Sequence, residues 1–298
     1  VEQNEFNLFQ VSSALKNNTI ISLTDIRDTK KIEQVLSKFN PDYVFHTAAL
    51  KHITFVEDDP LEALQTNFLA TVRLCQLCKV HKIKKMIFIS TDKAVNPTNI
   101  MGASKRLCEK YIQKISIDSK ETIFTIVRFG NVLGSTGSVV PLFEKQISNG
   151  GPITITHSKV KRFFMTIREA VELVLISSQL DVRENGEIFI LEMGNSVYIK
   201  DLAKKMIALA GASEQNIKIQ TTGLRKGEKL NEELFFKNEV VNKTNIKGIL
   251  STTTKLFTSH TVDFNKLINE VSSQNKLNSI KYFEKLLPEY KKIEKNTN

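Results

Sequence analysis

Short β-branched runs alternate with amphipathic helical stretches along most of this chain, and that alternation restricts its fold more than any other property. TIISL at 19–23 reads as a strand, 30–39 as a helix and DYVFH at 42–46 as a second strand. Asp59 and Pro60 stand as N-cap and first residue of a helix running to about His81. A strand ending at Ser90, a helix over 101–117 and a strand at 122–127 follow. Farther on come a helix at 167–180, a strand at 188–191 and a helix at 199–210, while residues 1–10 are already helix-like. Such β-α repetition predicts a doubly wound α/β fold, a parallel sheet with helices on both faces. After Asn131 the pattern loosens, with 134–137, 150–152 and 162–166 reading as loops around short elements. The second half is therefore expected to form a smaller lobe closing over the crevice. No internal repeat or long linker separates the halves.

Composition limits the functional classes. With 298 residues, 41% of them hydrophobic and 25% charged, the chain can bury a substantial core. The net charge of +10 raises nucleic acid as a partner. The lysines, however, are scattered over helix faces and thickest at Lys281, Lys285, Lys291, Lys292 and Lys295, with no aromatic-interleaved basic motif. A solvated surface is expected instead, one that also attracts an anionic substrate. No apolar run approaches the roughly 18 residues that cross a bilayer, and no secretory leader is visible. Cys75, Cys78 and Cys108 are too few for a disulfide framework and fit a reducing cytoplasm. The Cys75–Cys78 spacing lies mid-helix without a second ligand pair, so core packing is expected there and no metal.

In doubly wound sheets, ligands gather beyond the carboxyl ends of the strands. The polar residues following successive strands are Asp25, the turn His46–Thr47–Ala48–Ala49, Thr91–Asp92–Lys93 and Gly130–Asn131, which should line one crevice. The stretch STDKAVNPTNIMGASK, 90–105, sets a hydroxyl, an acid and an amine at one strand end, then a Met four residues before Lys105 at a helix start. A Gly-rich turn between a first strand and helix, the usual cradle for a dinucleotide pyrophosphate, has no counterpart. Because Val1 is not a translation start, the first β-α unit is expected upstream of it.

Six motifs occur in order over about 25–233: DIRD, FHTAALKH, STDKAVNPTNIMGASKR, VRFGNVLGSTGSVVPLF, RFFMTI and TGLRKGEKL. Together they resemble the CapD-like polysaccharide-biosynthesis branch of the extended short-chain dehydrogenase/reductase superfamily, especially its configuration-retaining UDP-N-acetylglucosamine 4,6-dehydratases. The resemblance implies an NAD-binding Rossmann-like domain at 1–150, incomplete at its N-terminus, with 151–298 mainly a substrate lobe from which some segments return. It also implies NAD as cofactor, a UDP-sugar as substrate, a homo-oligomer, and a cytoplasmic location in which any membrane is reached only through sequence upstream. Without the phosphate turn, the chain as it stands is expected to bind NAD poorly. In the family reaction, NAD takes a hydride from sugar carbon 4, a base removes the acidified proton of carbon 5, an acid protonates the departing hydroxyl of carbon 6, and the hydride returns to carbon 6.

By the same resemblance Asp92 is the acid and Lys93 the base. The acid must keep its proton and the amine must lose one, which desolvation and a neighbouring cation favour; Lys105 is the expected neighbour. Lys105 matches the superfamily's Tyr-x-x-x-Lys lysine and anchors the nicotinamide ribose, whereas the Tyr position is Met101, which cannot exchange a proton. That departure resembles the retaining dehydratases. Thr91 matches the Ser/Thr position; whether Asp92 or a water relay deprotonates the carbon 4 hydroxyl stays open. Asp25 and Ile26 match the adenine contacts, and Ala48 and Ala49 the turn along the cofactor. Asn131, Arg162 and Arg225 are expected on the substrate diphosphate, Glu228 on ribose hydroxyls, and Lys51 and His52 beside the sugar. Lys226 stands where the family usually has Pro, loosening that turn. Two other readings stay open: a UDP-sugar 4-epimerase, which Met101 opposes, and a non-catalytic fragment or scaffold, which the missing phosphate turn favours.

Overall fold

The computed structural model describes residues 1–15, 19–253 and 263–293. It begins with helices α1 (Glu5–Ala14) and α2 (Thr29–Phe39), strand β1 (Tyr43–His46) and the short helix α3 (Ile53–Asp58). Helix α4 (Pro60–Ala63), a π turn (Leu64–Leu69) and α5 (Ala70–Val80) then run without a break. Strand β2 (Lys85–Thr91) enters a 3-10 turn (Asp92–Ala94) and is followed by α6 (Ile100–Ile117), β3 (Ile123–Phe129) and β4 (Asn131–Val132). The second half contains α7 (Val139–Ser148), β5 (Ile153–Ile155), β6 (Lys161–Arg162), β7 (Phe164–Met165) and α8 (Ile167–Gln179). Next are β8 (Ile188–Leu191), β9 (Val197–Tyr198), α9 (Ile199–Leu209) and β10 (Ile219–Thr221). A hairpin, β11 (Val240–Lys243) and β12 (Ile249–Thr253), precedes helices α10 (Phe264–Ser272) and α11 (Lys276–Leu286).

The main sheet has six strands in the order β1-β2-β3-β8-β12-β11. The first four pair in parallel, with Met86 opposite Phe124 and Ile126 opposite Ile188. Strands β12 and β11 add antiparallel, an exception to the all-parallel expectation. The two-residue period of a strand explains the layering. Met86, Phe88, Phe124, Ile126, Ile188 and Ile190 join one core with residues of α5, α6, α10 and α11, whereas Ile87, Val127, Phe189 and Leu191 join a second with Ala170 of α8. Burial on both faces is why these strands read as unbroken apolar runs. Each such side chain stabilises the fold by roughly 1.5–3 kcal/mol relative to exposure. A third cluster, including Phe143 of α7, Ile153 of β5 and Ile199 and Ile207 of α9, packs separately from those two.

Two local expectations are corrected. Residues 19–23 form no ladder: a single parallel bridge joins Glu2 to Leu23, and Ile20 is 67% exposed. Among the described residues no strand lies alongside to complete the pairing, and β-propensity alone does not make a strand. Asp59 holds the N-cap position before Pro60, but its side chain makes no cap hydrogen bond.

Candidate functional site

Strand β2 carries the site's central residues to the edge of the sheet, and the 3-10 turn reverses them toward β4. Asp92 is fully buried. Its Oδ1 accepts from Thr91 Oγ1 at 2.9 Å and from Lys93 Nζ at 2.9 Å, and Lys93 Nζ also donates to Asn131 Oδ1 at 3.1 Å. Helix α6 fixes the turn from behind. Asn99 caps its first turn by accepting from Gly102 N at 2.8 Å. A Cβ on Gly102 would lie 2.1 Å from the Lys93 carbonyl oxygen, so glycine is what lets the helix seat directly on the Asp92–Ala94 turn. A helical glycine costs about 1 kcal/mol relative to Ala; its presence inside the 90–105 motif was the readable signal of this close approach.

The electrostatics revise one expectation. Burial pushes the Lys93 pKa down, but the adjoining Asp92 carboxylate, joined by Glu232 whenever that group is ionised, outweighs it and leaves the group raised, so Lys93 rests as an ammonium paired with Asp92. The cation acting against that charge is Arg162, not Lys105. Lys105 instead donates to the Ile89 carbonyl at 2.8 Å, with its Nζ 4.4 Å from the Phe88 ring centroid. Burial lowers the Lys105 pKa to about 8.

A cavity of about 790 Å³ opens over this strand end. Thr91, Lys93, Met101, Lys105, Ala49, Lys51, His52, Asn131, Arg162, Arg225 and Glu228 all line it. Asp92 sits beneath, and Asp25, Ile26 and Ala48 are not in the lining. Asp25 lines a separate cleft of about 360 Å³ with residues of the N-terminal segment. Its carboxylate accepts from Arg27 Nη2 at 2.6 Å, which holds its pKa below the ordinary value, and Ile26 packs against the first core.

Several lining residues are engaged with the protein itself. Lys51 Nζ donates to the Thr136 carbonyl at 2.7 Å, and the His52 ring lies against Gly137, whose φ of +70° suits glycine. Glu228 accepts from Thr156 Oγ1 at 2.9 Å, Arg162 Nη2 at 3.0 Å and Arg225 N at 3.1 Å, so it joins three segments. Arg162 also donates to the carbonyls of Lys161 and Leu230. Lys226, where the family usually has Pro, places its Nζ 3.5 Å from Glu57 Oε2, and Glu57 Oε1 accepts from Ile100 N at 2.6 Å. Behind the Asp92–Ala94 turn, Gly227 O accepts from Thr98 Oγ1 at 2.8 Å and Asn99 Nδ2 at 3.1 Å. The backbone of the C-terminal segment joins in, with Lys291 N donating to Pro97 O at 3.0 Å and Gly227 N to Ile293 O at 3.0 Å.

Three supports escaped the sequence reading. Asn67, in the π turn, accepts from Leu50 N at 2.7 Å and donates to Leu50 O at 3.1 Å, satisfying the loop after β1 as a neighbouring strand would. Glu109 accepts from Ser90 Oγ at 2.7 Å and Arg128 Nη2 at 2.8 Å, and Arg128 is bound again by Glu239 at 3.0 Å. Glu232, near the C-terminal end of the last motif, faces Lys93. The i,i+3 spacing of Arg106 and Glu109 was visible as a helix pair, but its burial was not.

A family model described as "Polysaccharide biosynthesis protein" matches residues 1–254. Capsular polysaccharide biosynthesis protein CapD of Staphylococcus aureus is 48% identical over 218 residues, covering 73% of this chain and 36% of that protein. The chain thus spans little more than a third of that relative. A UDP-glucose 4-epimerase of Rickettsia bellii is 39% identical over 76% of this chain and 65% of its own length. The UDP-N-acetylglucosamine 4,6-dehydratase (inverting) of Campylobacter jejuni is 34% identical over 77% of this chain and 66% of its own length. Among solved structures, Pen from Bacillus thuringiensis superposes with a TM-score of 0.79 at 36% identity, covering 86% of this chain and 80% of that one.

Proposed function

This chain belongs to the polysaccharide biosynthesis protein family, and from that premise we propose that it dehydrates a UDP-N-acetylhexosamine, with UDP-N-acetylglucosamine the first candidate, to a 4-keto-6-deoxy sugar used in surface-polysaccharide synthesis. The observation that carries the reading is the buried Asp92–Lys93 pair, 2.9 Å apart, at a cavity that, among the described residues, is lined by Met101 of α6 and by no tyrosine. An elimination across carbons 5 and 6 needs an acid and a base within one reach of backbone. An epimerase is the second reading, favoured by the Rickettsia relative's name. Met101 weighs against it, because a thioether cannot exchange the proton of a carbon 4 hydroxyl.

NAD is the cofactor in this reading, and when bound it supplies the hydride acceptor for carbon 4 and the hydride donor for carbon 6. The deep end of the cavity fits its nicotinamide ribose, because Lys105 presents an ammonium there and engages one N–H with the Ile89 carbonyl. Asp25 and Ile26 would take the adenine end and Ala48 and Ala49 the turn between. For the pyrophosphate, residues 1–101 contain no glycine and so no Gly-rich turn. Residues 1–150 are assigned to the dinucleotide and 151–298 mainly to the substrate. Thr91 hydrogen-bonds the carbon 4 hydroxyl, Lys93 takes the carbon 5 proton and Asp92 protonates the leaving carbon 6 hydroxyl. Asn131, Arg162 and Arg225 face the diphosphate, Glu228 the ribose, and Lys51 and His52 the sugar.

Incubation with UDP-N-acetylglucosamine at saturating NAD, followed by product NMR, tests the reading. A 4-keto-6-deoxy product is expected. A galacto isomer would establish the epimerase, and no conversion would leave the scaffold.

A further inference from the structure

Glu232 is a buried carboxyl at the site to which the reaction above assigns no role. Its residue is 8% exposed. The charged groups acting on it are Lys93 and Asp92 from the catalytic turn, Arg162 from β6 and Lys229 from its own loop. Those cations already have partners. Lys93 is paired with Asp92 at 2.9 Å and Arg162 with Glu228 at 3.0 Å. Lys229 Nζ donates to the Val95 carbonyl at 2.8 Å and also feels Glu233, whose Oε2 accepts from Asn96 at 2.8 Å. Glu232 approaches Arg162 and Lys229 only to 4.0 Å each. Its Oε2 is buried without a hydrogen-bond partner, as is Oδ2 of Asp92. Glu232 thus has cations no nearer than 4.0 Å and no donor on its buried Oε2, and a buried ionised oxygen without a donor is costly.

We propose that Glu232 is a positioning residue that holds a proton in the resting site and thereby lets Lys93 pass its own proton to Asp92, arming the pair as base and acid; this rests on the dehydratase reading above. In the arming step an N–H bond of Lys93 breaks and an O–H bond forms on Asp92, leaving an amine and a carboxylic acid with the net charge unchanged. The amine then takes the carbon 5 proton, and the acid gives its proton to the carbon 6 oxygen, which leaves as water. After this elimination Lys93 is the ammonium and Asp92 the carboxylate; Lys93 returns its proton to carbon 5 as the hydride adds to carbon 6, and the proton released from the carbon 4 hydroxyl restores the ammonium–carboxylate pair seen at rest. An ionised Glu232 would oppose arming by attracting the Lys93 charge.

Burial pushes the Glu232 pKa up, and Asp92 adds to that against Lys93, Arg162 and Lys229. The carboxyl is neutral below this raised pKa and ionised above it. Dehydration should therefore persist below it and fall as the pH rises through it. Glu232→Gln stays neutral at every pH, so it should keep turnover within about threefold near neutrality and lose that alkaline fall.

Infrared spectroscopy of the full chain near neutral pH gives a readout independent of turnover. A protonated-carboxyl band is expected that vanishes in Glu232→Gln and survives in Glu228→Gln. Absence of the band, or its survival in Glu232→Gln, overturns the proposal, as does a Glu232→Gln profile that keeps the alkaline fall. If the band behaves as expected but UDP-N-acetylglucosamine is not converted, the proton on Glu232 stands and the dehydratase reading fails.

Discussion

The strand end that carries Asp92 and Lys93 and the N-terminal segment belong to one fold but are held in opposite ways. Around Ser90 to Asn131, Asp92, Glu109 and Arg128 are fully buried, and each is tied to at least two other side chains. Helix α1 buries no residue, with Phe9 67% exposed, and β1 is an edge strand whose Phe45 is 39% exposed. Charged chemistry is preorganised only where helices and loops enclose it on every side. The N-terminal segment should lie at the low end of local stability.

Three substitution experiments sharpen that contrast. The largest effect should come from the proposed acid–base pair: Asp92→Asn and Lys93→Ala should each reduce turnover about 10²–10⁴-fold, whereas Met101→Leu should be tolerated. A dead but folded Met101→Leu would break the contrast between the pair and its apolar neighbour. Next comes the enclosing network. Glu239→Gln removes one charge from a fully buried pair with Arg128 and should lower unfolding free energy by about 3–5 kcal/mol, measured by denaturant titration. The same network makes stability fall in acid. Burial raises the Glu109 pKa, but Arg128 and Arg106 outweigh it and leave the group below its ordinary 4.5. Its contribution is thus present above that value and lost as the pH falls through the lower folded one. The smallest effect belongs to the exposed segment: Phe9→Ser should change stability by less than about 0.5 kcal/mol, and hydrogen exchange should open α1 amides first. A cooperative loss of the whole fold in Phe9→Ser would overturn the comparison.

What the sequence disclosed follows the same division. Strands β2, β3 and β8 were legible because burial on both faces demands unbroken apolar runs, and α6 because its start falls inside the 90–105 motif. The β11–β12 hairpin was not, since VVNK and ILSTT carry weak alternation and no tight two-residue turn. Residues 19–23 had the strand composition but lack neighbours. At the site, motif order set Asp92, Lys93 and Asn131 at successive strand ends, and Lys93 hydrogen-bonds both of the others. It could not give the direction of the Lys93 shift, because Glu232 and Arg162 act on that lysine from segments remote in sequence. Nor could it show that Lys105 turns toward the Ile89 carbonyl.

The C-terminal segment near residue 291 is easily mistaken for a dispensable lysine-rich fringe. Its backbone is laced into the Pro97–Thr98 loop and the Gly227 turn at once. Cutting the chain before Lys291 would strip those hydrogen bonds from the loop that leads out of the Asp92–Ala94 turn into α6.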